Sequence, residues 1–133
     1  MIKITNMNVE DVRFPTSKDL TGSDAIHTDP DYSATYITIS TSENNLKGYG
    51  LAFTLGKGND IVAECIKHFF PIFKGLTIEE IEKNIGKLWY DCADHSQLRW
   101  LGPEKGVVHM ALAAVFNALW DLIAKKNQKP LWQ

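Results

Sequence analysis

At 133 residues the chain has room for one ordinary domain with a real core, and not for two. Its 44% apolar and 23% charged residues fit a globular fold, and a net charge of −2 excludes the concentrated positive field that non-specific binding to nucleic acid or an anionic membrane requires. No run of 18 or more apolar residues argues for a bilayer-spanning helix, and the alternating start MIKITNMNVEDVRF does not read as a secretory signal, so a cytoplasmic protein is expected.

The first third reads as β. Ile2, Ile4, Val9, Val12 and Phe14 outline a strand with an irregularity near Asn6 to Asn8. ATYITIST, residues 34–41, is β-branched and aromatic and alternates across the pleat. SENNLKG is a turn, because Asn44 and Asn45 tolerate left-handed backbone, and YGLAFTL follows as a third strand. Three successive strands with short or mid-sized links predict an antiparallel meander.

Between the first two strands lies TGSDAIHTDPDYSATY, residues 21–36, rich in hydrogen-bonding side chains and almost without apolar ones. Its residues alone predict a solvated loop with Asx turns at Asp24, Asp29 and Asp31 and a bend set by Pro30. TLGKGND, residues 54–60, leaves the third strand and opens a helix. A G-x-G without a third glycine or a Lys-Ser/Thr pair is a weak anion-loop signal, so a plain strand-to-helix connection is expected.

The rest reads as α. GNDIVAECIKHFFP offers Gly58 or Asn59 as N-cap and Pro71 as its stop. Cys65 and His68 share a face of that helix, and core packing is the expected use of both. TIEEIEKNIGKLWYDC begins with a capping box, Thr77 to Glu80, and places Ile78, Ile81, Ile85, Leu88, Trp89 and Cys92 on one face. Cys65 and Cys92 fit no C-x-x-C pattern and read as reduced core thiols. DCADHSQLRWLGPEKG is an irregular connection fixed by Trp100 and Pro103, with a carboxylate contact to Arg99 left open.

The last helix starts with Pro103 in its first turn and ends at Lys125 and Lys126. From Val107 to Ala124 only His109, Asn117 and Asp121 are polar, on one drifting stripe that continues to Lys125. A helix apolar nearly all round is normally buried nearly all round. A meander and two helices should cover about two of its sides, which predicts a large surface near this helix, or near Leu131 and Trp132, that expects a partner. The Asp121–Lys125 pair should orient the helix and do no chemistry.

Meander, helices and then NALWDLIAKKNQKPLWQ: this order resembles the amino-terminal capping domain of the enolase superfamily, of the mandelate racemase/muconate lactonizing enzyme type. There an A-x-W-D-x-x-x-K-x-x-x-x-P pattern closes the domain, matched here by Ala118, Trp120, Asp121, Lys125 and Pro130. DVRFPTS, HTDPDYSA and QLRWLGPEKGVVH are similar to the L-fuconate dehydratase branch, animal members included. The resemblance spans Ile2 to Gln133.

It implies an α+β fold, a three-stranded antiparallel meander followed by a helical bundle, over residues 1–133. It also implies that the (β/α)₈ barrel is missing from this chain. Family members carry the lysine base, the Asp/Glu ligands of Mg²⁺ and an active-site histidine in that barrel. Removing a proton α to a carboxylate leaves an enediolate, which needs a metal ion and a base at the barrel mouth. No catalytic residue and no metal ligand is therefore expected here, His27 with Asp24 or Asp29 included, and this chain alone should be inactive. The partners implied are the barrel domain, of the same or another chain, and a sugar-acid substrate. The full enzyme, a Mg²⁺-dependent homo-oligomer, would convert L-fuconate to a 2-keto-3-deoxy acid with loss of water, in the mitochondrion if the source is an animal.

The loop after the first strand folds over the barrel mouth as a lid in such proteins. By resemblance Gly22, Ser23, Asp24 and Tyr32 contact substrate, Ser23 standing where relatives often have Ala, and residues 54–60 could form a second lid segment. A reading from another class is a stand-alone, non-catalytic module that binds a partner chain through its apolar last helix.

Overall fold

The computed structural model describes residues 1–102 and 104–133, so the expectations placed on Pro103 fall outside the described residues. The strands are β1 (Ile4–Val12), β2 (Ser33–Thr41) and β3 (Lys47–Thr54), and the helices are α1 (Asn59–Phe73), α2 (Ile78–Ala93) and α3 (Val107–Lys126). The strands form one antiparallel sheet in the order β1-β2-β3, the expected meander. The register slips between Ile4 and Asn6, so the irregularity falls at Thr5, just ahead of its expected place. Three strands and three helices, with no (β/α)₈ barrel among the described residues, make an α+β capping domain.

One face of the sheet is buried. Ile4, Ile37, Ile39 and Ala52 meet Ile66, Phe69 and Phe73 of α1 and Leu112, Val115 and Leu119 of α3. The Thr77 capping box opens α2 as predicted: Thr77 Oγ1 accepts from the Glu80 N–H at 3.2 Å, and Glu80 Oε2 accepts from the Thr77 N–H at 2.8 Å.

Two expectations, on Pro71 and His109, are corrected, and two are sharpened. Pro71 does not stop α1, which runs on to Phe73. A proline forfeits one hydrogen bond to the preceding turn, but Phe73 is fully buried, and burying a phenylalanine is worth about 1.5–3 kcal/mol. Gly58 is the N-cap and Asn59 the first helical residue. α2 is kinked at Asn84 (φ −117°), whose side chain donates to the Glu80 carbonyl at 2.8 Å and competes with the helical ladder. On α3, His109 leaves the expected stripe. It turns towards α2, with its ring centroid 6.0 Å from that of Trp89, because eight helical residues rotate it well away from Asn117.

α3 is also covered on more sides than expected. By length and hydropathy alone it could cross a membrane, yet it is the core helix, with Ala111, Leu112, Ala114, Val115, Ala118 and Leu119 buried. It can sit this close because β3 carries Gly48 and Gly50. A Cβ on Gly48 would lie 2.1 Å from the Ala118 carbonyl oxygen, and one on Gly50 2.1 Å from that of Ala114. The Ala-x-Trp-Asp-x-x-x-Lys pattern completes the seam. Asp121 Oδ2 accepts from the Tyr49 N–H at 2.9 Å, and Lys125 Nζ donates to the Lys47 carbonyl at 2.9 Å. Both groups are left unpaired by β2, so this pair caps an edge strand that would otherwise present free donors and acceptors. Lys125 also lies 4.3 Å from the Tyr49 ring centroid.

The uncovered apolar surface lies elsewhere. Tyr36, Tyr49, Leu51 and Phe53 line the outer face of the sheet, and Leu55, Ile61, Trp100 and Leu101 are exposed near the amino-terminal end of α3. Leu131 and Trp132 are exposed in the tail, as expected.

Candidate functional site

The β1–β2 connection, residues 13–32, is held by few contacts, and most of them are polar. A short 3₁₀ turn, Thr16–Lys18, starts it. The Thr16 hydroxyl donates to the Pro30 carbonyl at 2.8 Å and accepts from the Tyr32 N–H at 3.0 Å. Asp31 Oδ1 accepts from the Ser17 N–H at 3.0 Å. These bonds close the loop across fourteen to sixteen residues and make its root.

Gly22 and Tyr32 are brought together above that root. The Tyr32 hydroxyl donates to the Gly22 carbonyl at 3.3 Å, and the Tyr32 ring stands 5.7 Å from the ring of Phe53. Gly22 has φ +77°, and a Cβ there would lie 2.2 Å from the Tyr32 hydroxyl oxygen. Glycine is thus required twice, for its backbone and for the phenol that fills its place. The Ser23 hydroxyl donates to the Thr28 carbonyl at 2.9 Å.

Asp24 is turned partly onto its own loop. Its Oδ1 accepts from the His27 N–H at 2.7 Å and the Ile26 N–H at 2.8 Å, an Asx turn, and Oδ2 lies 3.3 Å from His27 Nδ1. The His27 N–H, then that of Ile26, holds the carboxyl below the ordinary aspartate range. Asp24 stays ionised, and its exposed Oδ2 keeps capacity to accept from outside the loop. Of the three Asx turns expected, only the one at Asp24 takes that form among these bonds. Asp31 reaches across to Ser17, whose side chain and backbone N–H lower its pKa.

The loop between β3 and α1 lies against the root of the β1–β2 loop. The Leu55 carbonyl accepts from the Asp31 N–H at 3.2 Å, and a Cβ on Gly56 would lie 2.8 Å from Asp31 Cβ. Beside it is an apolar depression of about 500 Å³ lined by Phe53, Leu55, Ile61, Val107 and Met110, with Lys57 at its edge. Behind it Asn59 is fully buried and bonded on both ends of its amide. Nδ2 donates to Asp11 and to the Ala34 carbonyl at 3.2 Å, and Oδ1 accepts from Thr35 Oγ1 at 3.0 Å and Thr54 Oγ1 at 2.9 Å. Arg13 also grips Asp11, and together Arg13 and then Asn59 lower the Asp11 pKa.

The remaining sequence candidates carry less. Cys65 and Cys92 are buried free thiols, and burial pushes the Cys92 pKa up to about 12, so it is inert as a nucleophile. His68 is exposed, contrary to the core role expected for it beside Cys65, because at three-residue spacing the helix rotates it off the buried face. Trp100 is 79% exposed and does not fix its connection; Leu98 packs against the core instead. Arg99 donates to the Ser96 carbonyl at 2.9 Å and lies 5.8 Å from the Trp100 ring centroid, with no carboxylate partner among its described contacts. Among the described residues no three His, Cys, Asp or Glu side chains converge to hold a metal ion. Thr16, Phe53 and Asn59 escaped the sequence analysis. The partners of Thr16 and Phe53 are fourteen or more residues away, and those of Asn59 lie five to forty-eight residues away on all three strands, so no local spacing marks them.

Residues 15–133 match the family model for the mandelate racemase/muconate lactonizing enzyme amino-terminal domain. Mitochondrial enolase superfamily member 1 of Xenopus laevis is 52% identical over 98% of this chain and 30% of its own length. L-galactonate dehydratase of Hypocrea jecorina is 48% identical over 99% of this chain and 29% of its own. The crystal structure of human mitochondrial enolase superfamily member 1 superimposes with a TM-score of 0.92 at 46% identity, covering 98% of this chain and 30% of that one. An L-talarate dehydratase from a Polaromonas species, complexed with Mg and L-glucarate, shares the fold, with a TM-score of 0.69 at 19% identity over 96% of this chain and 30% of that one. The chain thus spans about 30% of the length of the curated relatives it matches.

Proposed function

The chain belongs to the mandelate racemase/muconate lactonizing enzyme family as its amino-terminal domain, and from that premise we propose that it is the capping and lid domain of a sugar-acid dehydratase acting on L-fuconate. The observation that carries this reading is the lid itself. Gly22 and Tyr32 are locked together, the loop is propped on Phe53, and Asp24 is left exposed and ionised beside them. A polyhydroxylated substrate needs such paired donors and acceptors, since each buried hydroxyl left unpaired costs about 1–3 kcal/mol. Gly22, Ser23, Asp24 and Tyr32 are the residues we assign to substrate.

The charge on Asp24 favours an aldonate over a diacid. A second carboxylate at the distal end of the substrate would face Asp24, whereas a hydroxyl would donate to it. L-fuconate is L-galactonate without its terminal hydroxyl, so the relative named L-galactonate dehydratase supports the same stereochemical series.

Among the described residues no magnesium site is formed, and we assign that ion, with the base, to the barrel. Bound there, magnesium would supply Lewis-acid polarisation of the substrate carboxylate. The capping domain would contribute orientation and exclusion of water. The exposed Leu55, Ile61 and Leu101, at the lid end, are the surface we expect the barrel to cover. The alternative, a module binding a partner through α3, would have only the narrow exposed strip of Ala113, Asn117 and Trp120 to offer, since most of the helix's apolar side chains are buried. The mitochondrial designation of the animal relatives supports that compartment for an animal protein; for any other source we place the enzyme in the cytoplasm.

Asp24→Ala in the full-length enzyme should lower kcat/KM for L-fuconate by about tenfold or more, the effect of one lost hydrogen bond. An unchanged value would remove Asp24 from the site. Faster turnover of L-glucarate than of L-fuconate or L-galactonate by the unaltered enzyme would sink the aldonate assignment.

A further inference from the structure

Within the lid, Thr16 and Ser17 bond to Pro30, Asp31 and Tyr32, and Asp31 in turn carries that root onto the next loop, through the Leu55 carbonyl and the surface of Gly56. That loop is fixed in turn by Thr54, whose hydroxyl accepts from the Gly56 N–H at 3.3 Å and donates to Asn59 Oδ1 at 2.9 Å. Asn59 is fully buried and tied to all three strands: Asp11 of β1, Ala34 and Thr35 of β2, Thr54 of β3. Thr54 is itself held in β3 opposite Ser33, and Asn59 ties that position to the other two strands.

We propose that Asn59 is the positioning residue of the lid. Its amide sets Thr54, Thr54 sets Gly56, and Leu55 and Gly56 set Asp31, from which Tyr32 and the Gly22 contact follow. The two loops then move as one body, although Asp31 and Leu55 stand 24 positions apart in sequence. A buried amide suits this task better than an apolar side chain. Satisfied donors and acceptors fix distance and direction together, whereas apolar packing tolerates sliding. Asn59 touches no substrate in this scheme, and the consequence for turnover rests on the lid reading above.

Asn59→Ala would strand several buried polar groups and unfold the domain, so the informative variant is Thr54→Val. It keeps the shape, removes the relay hydroxyl, and leaves Asn59 bonded to Asp11, Ala34 and Thr35. In the full-length protein, exchange of the Asp31 and Tyr32 amide protons should become about tenfold faster, while the Ile37 and Ile39 amides of β2 stay within about twofold. KM for L-fuconate should rise about tenfold with kcat within about twofold. Thr54→Ser, which restores the hydroxyl, should reverse both changes. Exchange that quickens throughout the sheet, or nowhere, would overturn the positioning role. Exchange that quickens only at the lid, with unaltered kinetics, would uphold the Asn59 relay and overturn the lid's part in substrate binding.

Discussion

The seam between α3 and β3 and the loop between β1 and β2, proposed above as a lid, are built on opposite plans. At the seam, backbone lies against backbone. Gly48 and Gly50 leave no room for a Cβ beneath Ala118 and Ala114, and Asp121 and Lys125 bond the strand edge beyond them. In the lid only Pro30 among residues 13–32 is buried, and its position depends on single hydrogen bonds from Thr16, Asp31 and Tyr32. Rigid packing allows no intermediate position, whereas isolated polar contacts can be broken one at a time. One small domain thus holds an anchor and, at the far end of the same sheet, a segment that costs little to move.

The largest expected effect falls on the seam. Gly50→Ala would place a Cβ 2.1 Å from the Ala114 carbonyl oxygen and 2.9 Å from the Ala118 nitrogen, both backbone atoms that cannot swing aside. The helix would have to lift, and overpacking of this kind should cost about 3 kcal/mol, read as a lower urea midpoint. A loss under about 1 kcal/mol would show that the seam is softer than its distances imply. Asp121→Ala should cost less, about 1–2 kcal/mol, by leaving the Tyr49 N–H without its acceptor and the Lys125 ammonium with the Lys47 carbonyl but no carboxylate. It also uncaps the edge of β3, so the variant should self-associate at concentrations where the parent stays monodisperse, which light scattering would detect.

How far the sequence foretold each region follows from the same difference. The meander, the capping box at Thr77 and the orienting role of Asp121 and Lys125 were legible because period, cap and i,i+4 spacing are local signals. The burial of α3 was underestimated because nothing in KGYGLAFT says that Gly48 and Gly50 let a helix rest directly on the strand. Pro71 misled for a related reason: a local helix breaker was overruled by the distant burial of Phe73. In the lid, Gly22, Ser23, Asp24 and Tyr32 came from family resemblance and not from any pattern in the loop. The structure adds that Gly22 serves Tyr32, and that Asp24 already spends one oxygen on its own turn. Thr16, Phe53 and Asn59 stayed hidden because their partners come together only when the sheet forms.

Acid should separate the two regions by a smaller effect. Asp24 is held ionised by the N–H groups of His27 and Ile26, and Asp31 by Ser17, so both carboxyls titrate below the ordinary value of 3.8. A carboxyl whose pKa is lower folded than unfolded stabilises the fold above its unfolded value, and that contribution is lost as pH falls through the folded one. Both groups are exposed, so solvent screens the effect, and it should appear in the lid long before it threatens the domain. The seam has a carboxyl of its own, Asp121, bonded to the Tyr49 N–H between the two glycines, so its buried helix side is the control. In an NMR titration downward from pH 6, the amide shifts of Ser17, Ile26 and His27 should move below about pH 3.8, while those of Ala114 and Val115 stay still. Should these helix amides move along the same curve, loop and anchor would be a single cooperative unit, and the contrast between them would fail.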